Sequence, residues 1–133
     1  MMSSPLAGSH ILVVEDEMLV MLMIEDMLAD LGCASVTAAA TVDQALALIA
    51  AQSFDAAMLD MNLGGHETHA VANALVERGV PYILSTGYSG DHSREGYLDV
   101  PVLKKPFRDD QLAAMLASVL PDNYRTNAGA ALP

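Results

Sequence analysis

Four short apolar runs in this chain each end in residues that could do chemistry. Ile11-Leu12-Val13-Val14 runs into Glu15-Asp16-Glu17, and Ala56-Ala57-Met58-Leu59 into Asp60. Tyr82-Ile83-Leu84-Ser85 runs into Thr86, and Val102-Leu103-Lys104 into Lys105-Pro106. An acid pair, a lone carboxylate, a hydroxyl and an amine therefore occur in that order at four strand ends. In an open parallel sheet, ligands and chemistry gather just beyond the carboxyl ends of the strands. Each residue also has a plainer reading. Asp60 could cap the next helix, and Glu15 to Glu17 could be a solvated acidic helix start that complements the dipole. Thr86 could begin a turn, and Lys105 could be a surface lysine, although Lys104 fills that role better. Four coincidences at four strand ends are hard to explain structurally.

The elements that must position these residues alternate. His10 to Val14 reads as a continuous apolar strand of the kind buried on both faces. A helix over 17–31 follows, closed by Gly32, with Val20, Ile24, Met27, Leu28 and Leu31 as its core stripe. Met18, Leu19, Met21, Leu22 and Met23 exceed what one buried face needs. They are either a wide core contact or a methionine-rich partner surface. Residues 34–39 make a weak second strand, and Thr41-Val42-Asp43-Gln44 fits a capping box for a short second helix. The third strand spans 54–60. The third helix spans 67–78, with Ala70, Val71, Ala74 and Leu75 inward. Strands over 82–86 and 101–104 follow, then a last helix over 108–120 stopped by Pro121. Its inward residues are Leu112, Met115, Leu116, Val119 and Leu120. Between the last two strands, residues 87–96 carry three Gly and two Ser, which predicts a poorly held helix or loop. The βα alternation implies a parallel sheet with helices on both faces and right-handed crossovers.

Bulk properties narrow the function classes. The 133 residues suit one domain, expected over 10–120 with flexible tails at 1–9 and 121–133. Six Lys and Arg against seventeen Asp and Glu give a formal net charge of −11, too few cations to neutralise nucleic-acid phosphates. Such a charge suits solubility and basic protein partners. Although 53% of residues are hydrophobic, the longest apolar stretch, Met18 to Ile24, falls far short of a membrane span. Without a basic-then-apolar leader, a cytoplasmic location is expected. Cys33, the only cysteine, excludes an internal disulfide and reads as a small buried residue. His66 and His69 lie three apart on a predicted helix, where exposed surface histidines are the simpler reading; His10 and His92 carry no signal.

Taken together, the acid pair after the first strand, Asp60 after the third, Thr86 after the fourth and Lys105-Pro106-Phe107 after the fifth resemble the receiver domain of bacterial two-component response regulators. The resemblance covers about residues 9–120. It implies a flavodoxin-like (βα)5 three-layer sandwich with a five-stranded parallel sheet of order 2-1-3-4-5. It implies that Asp60 accepts a phosphoryl group and that Thr86 and Lys105 contact its oxygens. Mg²⁺ would be held by Asp16 and Asp60, by the Asn62 backbone carbonyl, and by Glu15 through water. Pro106 would fix its loop, as a cis bond in one form. The physics agrees, because carboxylate and phosphoryl group are both negative and transfer is mainly positioning and charge neutralisation. The implied partners are a sensor histidine kinase or histidine phosphotransfer protein and a downstream protein target, with no nucleic acid and no membrane insertion.

The chain departs from the common receiver in three places. Glu15 stands where the family often has Asp. Val102 stands three residues before the lysine, where many receivers carry a Tyr or Phe switch. Thr86 is followed by Gly87-Tyr88-Ser89 rather than a small residue such as Ala. The Thr-Gly-Tyr sequence and Gly64-Gly65 resemble single-domain receivers of alphaproteobacteria associated with HWE-type histidine kinases. A stiff Val102 cannot swing as an aromatic does, so the expected switch is re-posing of 87–96, with Gly87 permissive and Tyr88 reporting. Two rivals belong to other classes. A haloacid-dehalogenase-like phosphatase would need its nucleophile after the first strand and a second Asp two residues on, where this chain has Asn62 after Asp60. A pseudo-receiver would bind partners without phosphorylation, yet every expected chemical position is filled.

Overall fold

The computed structural model describes residues 6–63, 68–87 and 100–120. Its strands are β1 (His10–Val14), β2 (Ser35–Ala39), β3 (Ala56–Asp60), β4 (Tyr82–Thr86) and β5 (Val102–Lys104). Among the described residues the helices are α1 (Met18–Asp30), α2 (Val42–Ala51), α3 (His69–Glu77) and α4 (Asp109–Val119). The strands form one parallel sheet in the order β2-β1-β3-β4-β5. This is the expected flavodoxin-like arrangement. The predicted loop or helix between the last two strands falls mostly on residues 88–99, outside the described ones.

Strand alternation sorts the core into two layers. Leu12 and Val14 of β1, Ala57 and Leu59 of β3, and Leu84 of β4 face α2 and α3, meeting Ala45, Ile49, Val71, Ala72 and Leu75. Ile11, Val13, Ala56, Met58 and Ile83 face the opposite way, against Met21, Ile24 and Leu28 of α1 and Leu112 and Leu116 of α4. β1, β3 and β4 are thus apolar on both faces, which explains their unbroken runs. Gly32 ends α1 at φ +87° and Gly79 follows α3 at φ +70°, a region that L side chains rarely adopt.

Several local expectations need correction. Residues 6–9 belong to the fold, not to a tail: Leu6 and Ser9 are wholly buried, Leu6 within the α1/α4 layer. Gly8 N–H donates to the Gly32 carbonyl and Ser9 Oγ to the Leu6 carbonyl, at 3.0 and 2.6 Å. Met21 lies in the core, whereas Met18, Leu19, Leu22 and Met23 face solvent, so α1 has no wide core contact on that side. Seven consecutive apolar residues give no polar contrast from which to orient the helix. In α3, Ala72 is buried and Ala70 is exposed, because the helix lies on the sheet with Val71, Ala72 and Leu75 inward. Gln44 N–H donates to Thr41 Oγ1 as predicted, but the Gln44 side chain takes its hydrogen bond from Ala40 N–H. Cys33 is only partly buried, and desolvation pushes its thiol pKa up.

Candidate functional site

Parallel register delivers the chemically capable residues to one edge. Val14 pairs with Leu59, Asp60 with Ser85, and Thr86 with Lys104. Glu15 therefore emerges beside Asp60, with Thr86 and Lys105 one and two strands further. The connections reinforce this: Met61 N–H donates to the Ser85 carbonyl and Lys105 N–H to the Thr86 carbonyl, at 2.9 and 2.8 Å. Lys105 precedes Pro106 through a cis peptide bond, the form the sequence allowed.

The result is a buried charge cluster. Glu15 and Asp60 are 2% and 3% exposed, and Thr86 is also buried. Lys105 Nζ lies 2.8 Å from Glu15 Oε1 and 3.4 Å from Asp60 Oδ2, bridging the two carboxylates. Glu15 Oε2 accepts from Glu17 N–H at 3.1 Å, so both oxygens of this acid have protein partners. Asp60 Oδ1 accepts from Asn62 N–H at 3.1 Å. Asp16 stays exposed at the rim. One carboxylate oxygen from each of Glu15, Asp16 and Asp60 falls within 4.8 Å of the others.

Such crowding costs free energy, and the proton equilibria show it. Burial pushes the Asp60 pKa from the ordinary 3.8 up to about 7, helped by the nearby Glu15 charge and opposed by Asn62 N–H and Lys105. Burial alone would lower the Lys105 pKa, but hydrogen bonds and charge from Glu15 and Asp60 outweigh it and raise it. Three all-oxygen donors around an acid that resists ionisation fit a hard divalent cation, which would supply the missing positive charge. The set contains no nitrogen or sulfur donor that would favour zinc.

All the site residues predicted on described positions come together except one in detail: Asn62 is exposed, with its backbone N–H turned to Asp60. Gly87 lies beside the site, a side-chain carbon built there meeting Lys105 Cδ at 4.0 Å. Tyr88 and His66 lie outside the described residues. His69 is exposed, as the simpler reading held. Sequence reasoning missed Thr68. This residue is 3% exposed, and its hydroxyl donates to the Asp60 and Met61 carbonyls at 3.3 and 3.4 Å. A Thr before a helix reads as an N-cap, but here the side chain makes no cap hydrogen bond.

Comparison with known proteins agrees with this geometry. The family profile for the response regulator receiver domain matches residues 11–117. The solution structure of SdrG from Sphingomonas melonis Fr1 is 41% identical, with a TM-score of 0.70 over 87% of this chain and 98% of that one. A BeF3-activated conformation of SdrG from Pseudomonas melonis Fr1 is 40% identical, with a TM-score of 0.72 over 90% and 100%. The receiver domain of the sensor histidine kinase PA1611 from Pseudomonas aeruginosa PAO1 carries a magnesium ion coordinated in its active-site cleft. It is 32% identical, with a TM-score of 0.74 over 85% and 98%. No curated protein matches the chain. The acidic triad Glu15, Asp16 and Asp60 fits the Mg²⁺ site of such domains. A receiver domain is a phosphoacceptor signalling module rather than an enzyme that turns over a substrate, and this chain belongs to the response regulator receiver family.

Proposed function

We propose that the chain is a stand-alone receiver that takes a phosphoryl group from a phosphohistidine onto Asp60 and signals through protein contacts. The observation that carries this is the buried Asp60 carboxylate, bridged by Lys105 and ringed by Glu15 and Asp16. In the transfer, one Asp60 oxygen attacks phosphorus, the bond from phosphorus to the donor imidazole nitrogen breaks, and that nitrogen keeps the electron pair. Lys105, 3.4 Å from Asp60 Oδ2, is within reach of a phosphoryl oxygen placed there. Thr86 supplies a hydroxyl at the same edge. Asp16, Asp60 and the Asn62 carbonyl would hold Mg²⁺ directly, and Glu15, which Lys105 holds at 2.8 Å, through water. The cation supplies charge neutralisation for the two approaching anions.

Likeness to the two SdrG chains, matched over 98% and 100% of their length, supports a receiver of that kind. The receiver unit then runs from about Leu6 to Leu120, extending the expected 10–120; residues 121–133 lie outside the described residues. The Thr86-Gly87-Tyr88 sequence carries the proposal of the alphaproteobacterial Thr-Gly-Tyr subgroup, with an HWE-type kinase as donor. Met18, Leu19 and Leu22 form an exposed apolar strip on α1 just past the acid pair, where a histidine-bearing donor would dock. A cytoplasmic location goes with this reading; no described helix is long and apolar enough to cross a membrane. The switch remains assigned to Gly87, Tyr88 and the segment after them. Acetyl phosphate with Mg²⁺ should give a hydroxylamine-labile acyl phosphate that maps to Asp60. A label on another residue would overturn the assignment.

A further inference from the structure

Thr68 carries no role in the family pattern read from the sequence, yet among the described residues its hydroxyl is one of few that are buried. Its Oγ1 lies 3.3 Å from the Asp60 carbonyl oxygen and 3.4 Å from that of Met61. These are the carbonyl ends of two successive peptide groups. The N–H end of the first belongs to Met61 and donates to the Ser85 carbonyl at 2.9 Å. The N–H end of the second belongs to Asn62 and donates to Asp60 Oδ1 at 3.1 Å. The Thr68 hydroxyl proton is thus shared between two successive peptide groups, one tied to Ser85 and the other to the Asp60 carboxylate through Asn62 N–H. Thr68 is itself anchored, since its carbonyl accepts the first α3 hydrogen bonds from Val71 and Ala72 N–H, both at 3.1 Å.

We infer that Thr68 is a positioning residue for the phosphoacceptor site, acting through the Met61–Asn62 peptide to hold the Asp60 carboxylate and the Asn62 carbonyl in register. A peptide plane is rigid. Rotation of this plane would lengthen the Asn62 N–H bond to Asp60 and change the Asn62 φ that aims the next carbonyl, the one assigned to the metal. Partners of this kind behind a metal ligand are commonly worth tenfold or more in affinity. The role rests on the phosphoacceptor reading above and on the Mg²⁺ site.

The test compares wild type, Thr68→Val and Thr68→Ser in the full chain, measuring Mg²⁺ binding by calorimetry and hydrogen exchange at the Asn62 amide. Thr68→Val keeps the shape and removes the donor. It should weaken Mg²⁺ about tenfold and speed Asn62 exchange beyond any change in global stability. Thr68→Ser restores the donor and should bind within about twofold of wild type. If Val and Ser variants weaken Mg²⁺ equally, or if Thr68→Val binds as wild type with Asn62 exchange unchanged, the positioning role is wrong. Should the Val variant not fold, Thr68→Ala in the same two measurements decides between the same outcomes. Failure of wild type to bind Mg²⁺ would instead overturn the site itself, which separates the two claims.

Discussion

Two regions of the molecule break the ordinary rule of burial in opposite directions. At the carboxyl edge of the sheet, Glu15, Asp60, Thr68 and Thr86 are buried although polar, with Lys105 nearly so. On the outer face of α1, Met18 and Leu19 are 74% and 81% exposed although apolar. Burying charge carries a desolvation cost that pairing seldom recovers in full, and exposing a contiguous apolar strip forgoes hydrophobic stabilisation. Neither region is explained by folding. The first has the charges for group transfer, and the second, one helix turn from Asp16, is the surface proposed above for docking the donor. The exposed ion pair from Arg108 Nε to Asp110 Oδ1, at 3.0 Å, is by contrast expected to contribute little, since both partners stay in water.

The sharpest way to break the comparison is inside α1. Met21→Glu would put an unpaired charge into the core and should cost about 3–5 kcal/mol, unfolding much of the protein in a denaturant titration. Leu22→Glu, one residue on, should change stability by less than about 0.5 kcal/mol. It should slow phosphotransfer from a phosphorylated histidine kinase while sparing reaction with acetyl phosphate. Equal loss with both donors would remove the docking role from this face.

The next effect concerns the charge cluster. Lys105→Met leaves two buried carboxylates without their cation and should cost about 1–3 kcal/mol at pH 8. The cost should shrink at pH 5.5, where Asp60 takes up a proton. Wild type without metal should itself lose stability as pH rises. The folded pKa of Asp60 is about 7 against an ordinary 3.8, so between those values the folded state holds a proton that the unfolded chain has released. Its destabilisation therefore grows with pH through that window and is complete above about 7. Mg²⁺ needs the carboxylate, so its rise in melting temperature should be larger at pH 8 than at pH 5.5. Asp60→Asn should flatten both trends. The smallest expected effect is Arg108→Ala, which should leave the melting temperature and Mg²⁺ binding unchanged within error.

How much of this was legible depends on contrast in the sequence. β1 and β4 were read to the residue, because buried parallel strands are unbroken apolar runs and each stops abruptly at a polar group. The same stops located Glu15, Asp60, Thr86 and Lys105, since parallel register carries strand ends to one edge. Elsewhere contrast was missing. Met18 to Ile24 is apolar throughout, so the inward place of Met21 is fixed only by how α1 lies on the sheet. Leu6 sits among Ser, Pro, Gly and Ala, a composition that reads as loose, and is held by contacts with residues far along the chain. Thr68 passed unnoticed inside the expected third helix, because nothing local reveals which carbonyls its hydroxyl will meet. The pairing of Lys105 with Glu15 at 2.8 Å, closer than with Asp60, likewise depends on side-chain reach across strands.

The central claim is that Asp60 is the phosphoacceptor and that the acid cluster around it makes transfer possible. Intact mass after incubation with acetyl phosphate, with and without Mg²⁺, tests it most directly on wild type, Asp60→Asn and Asp16→Asn. Wild type should gain the mass of one phosphoryl group with Mg²⁺ and not with chelator. Asp60→Asn should gain none, and Asp16→Asn should gain it far more slowly. A wild type that never gains the group, or an Asp60→Asn protein that gains it as wild type does, would contradict the account.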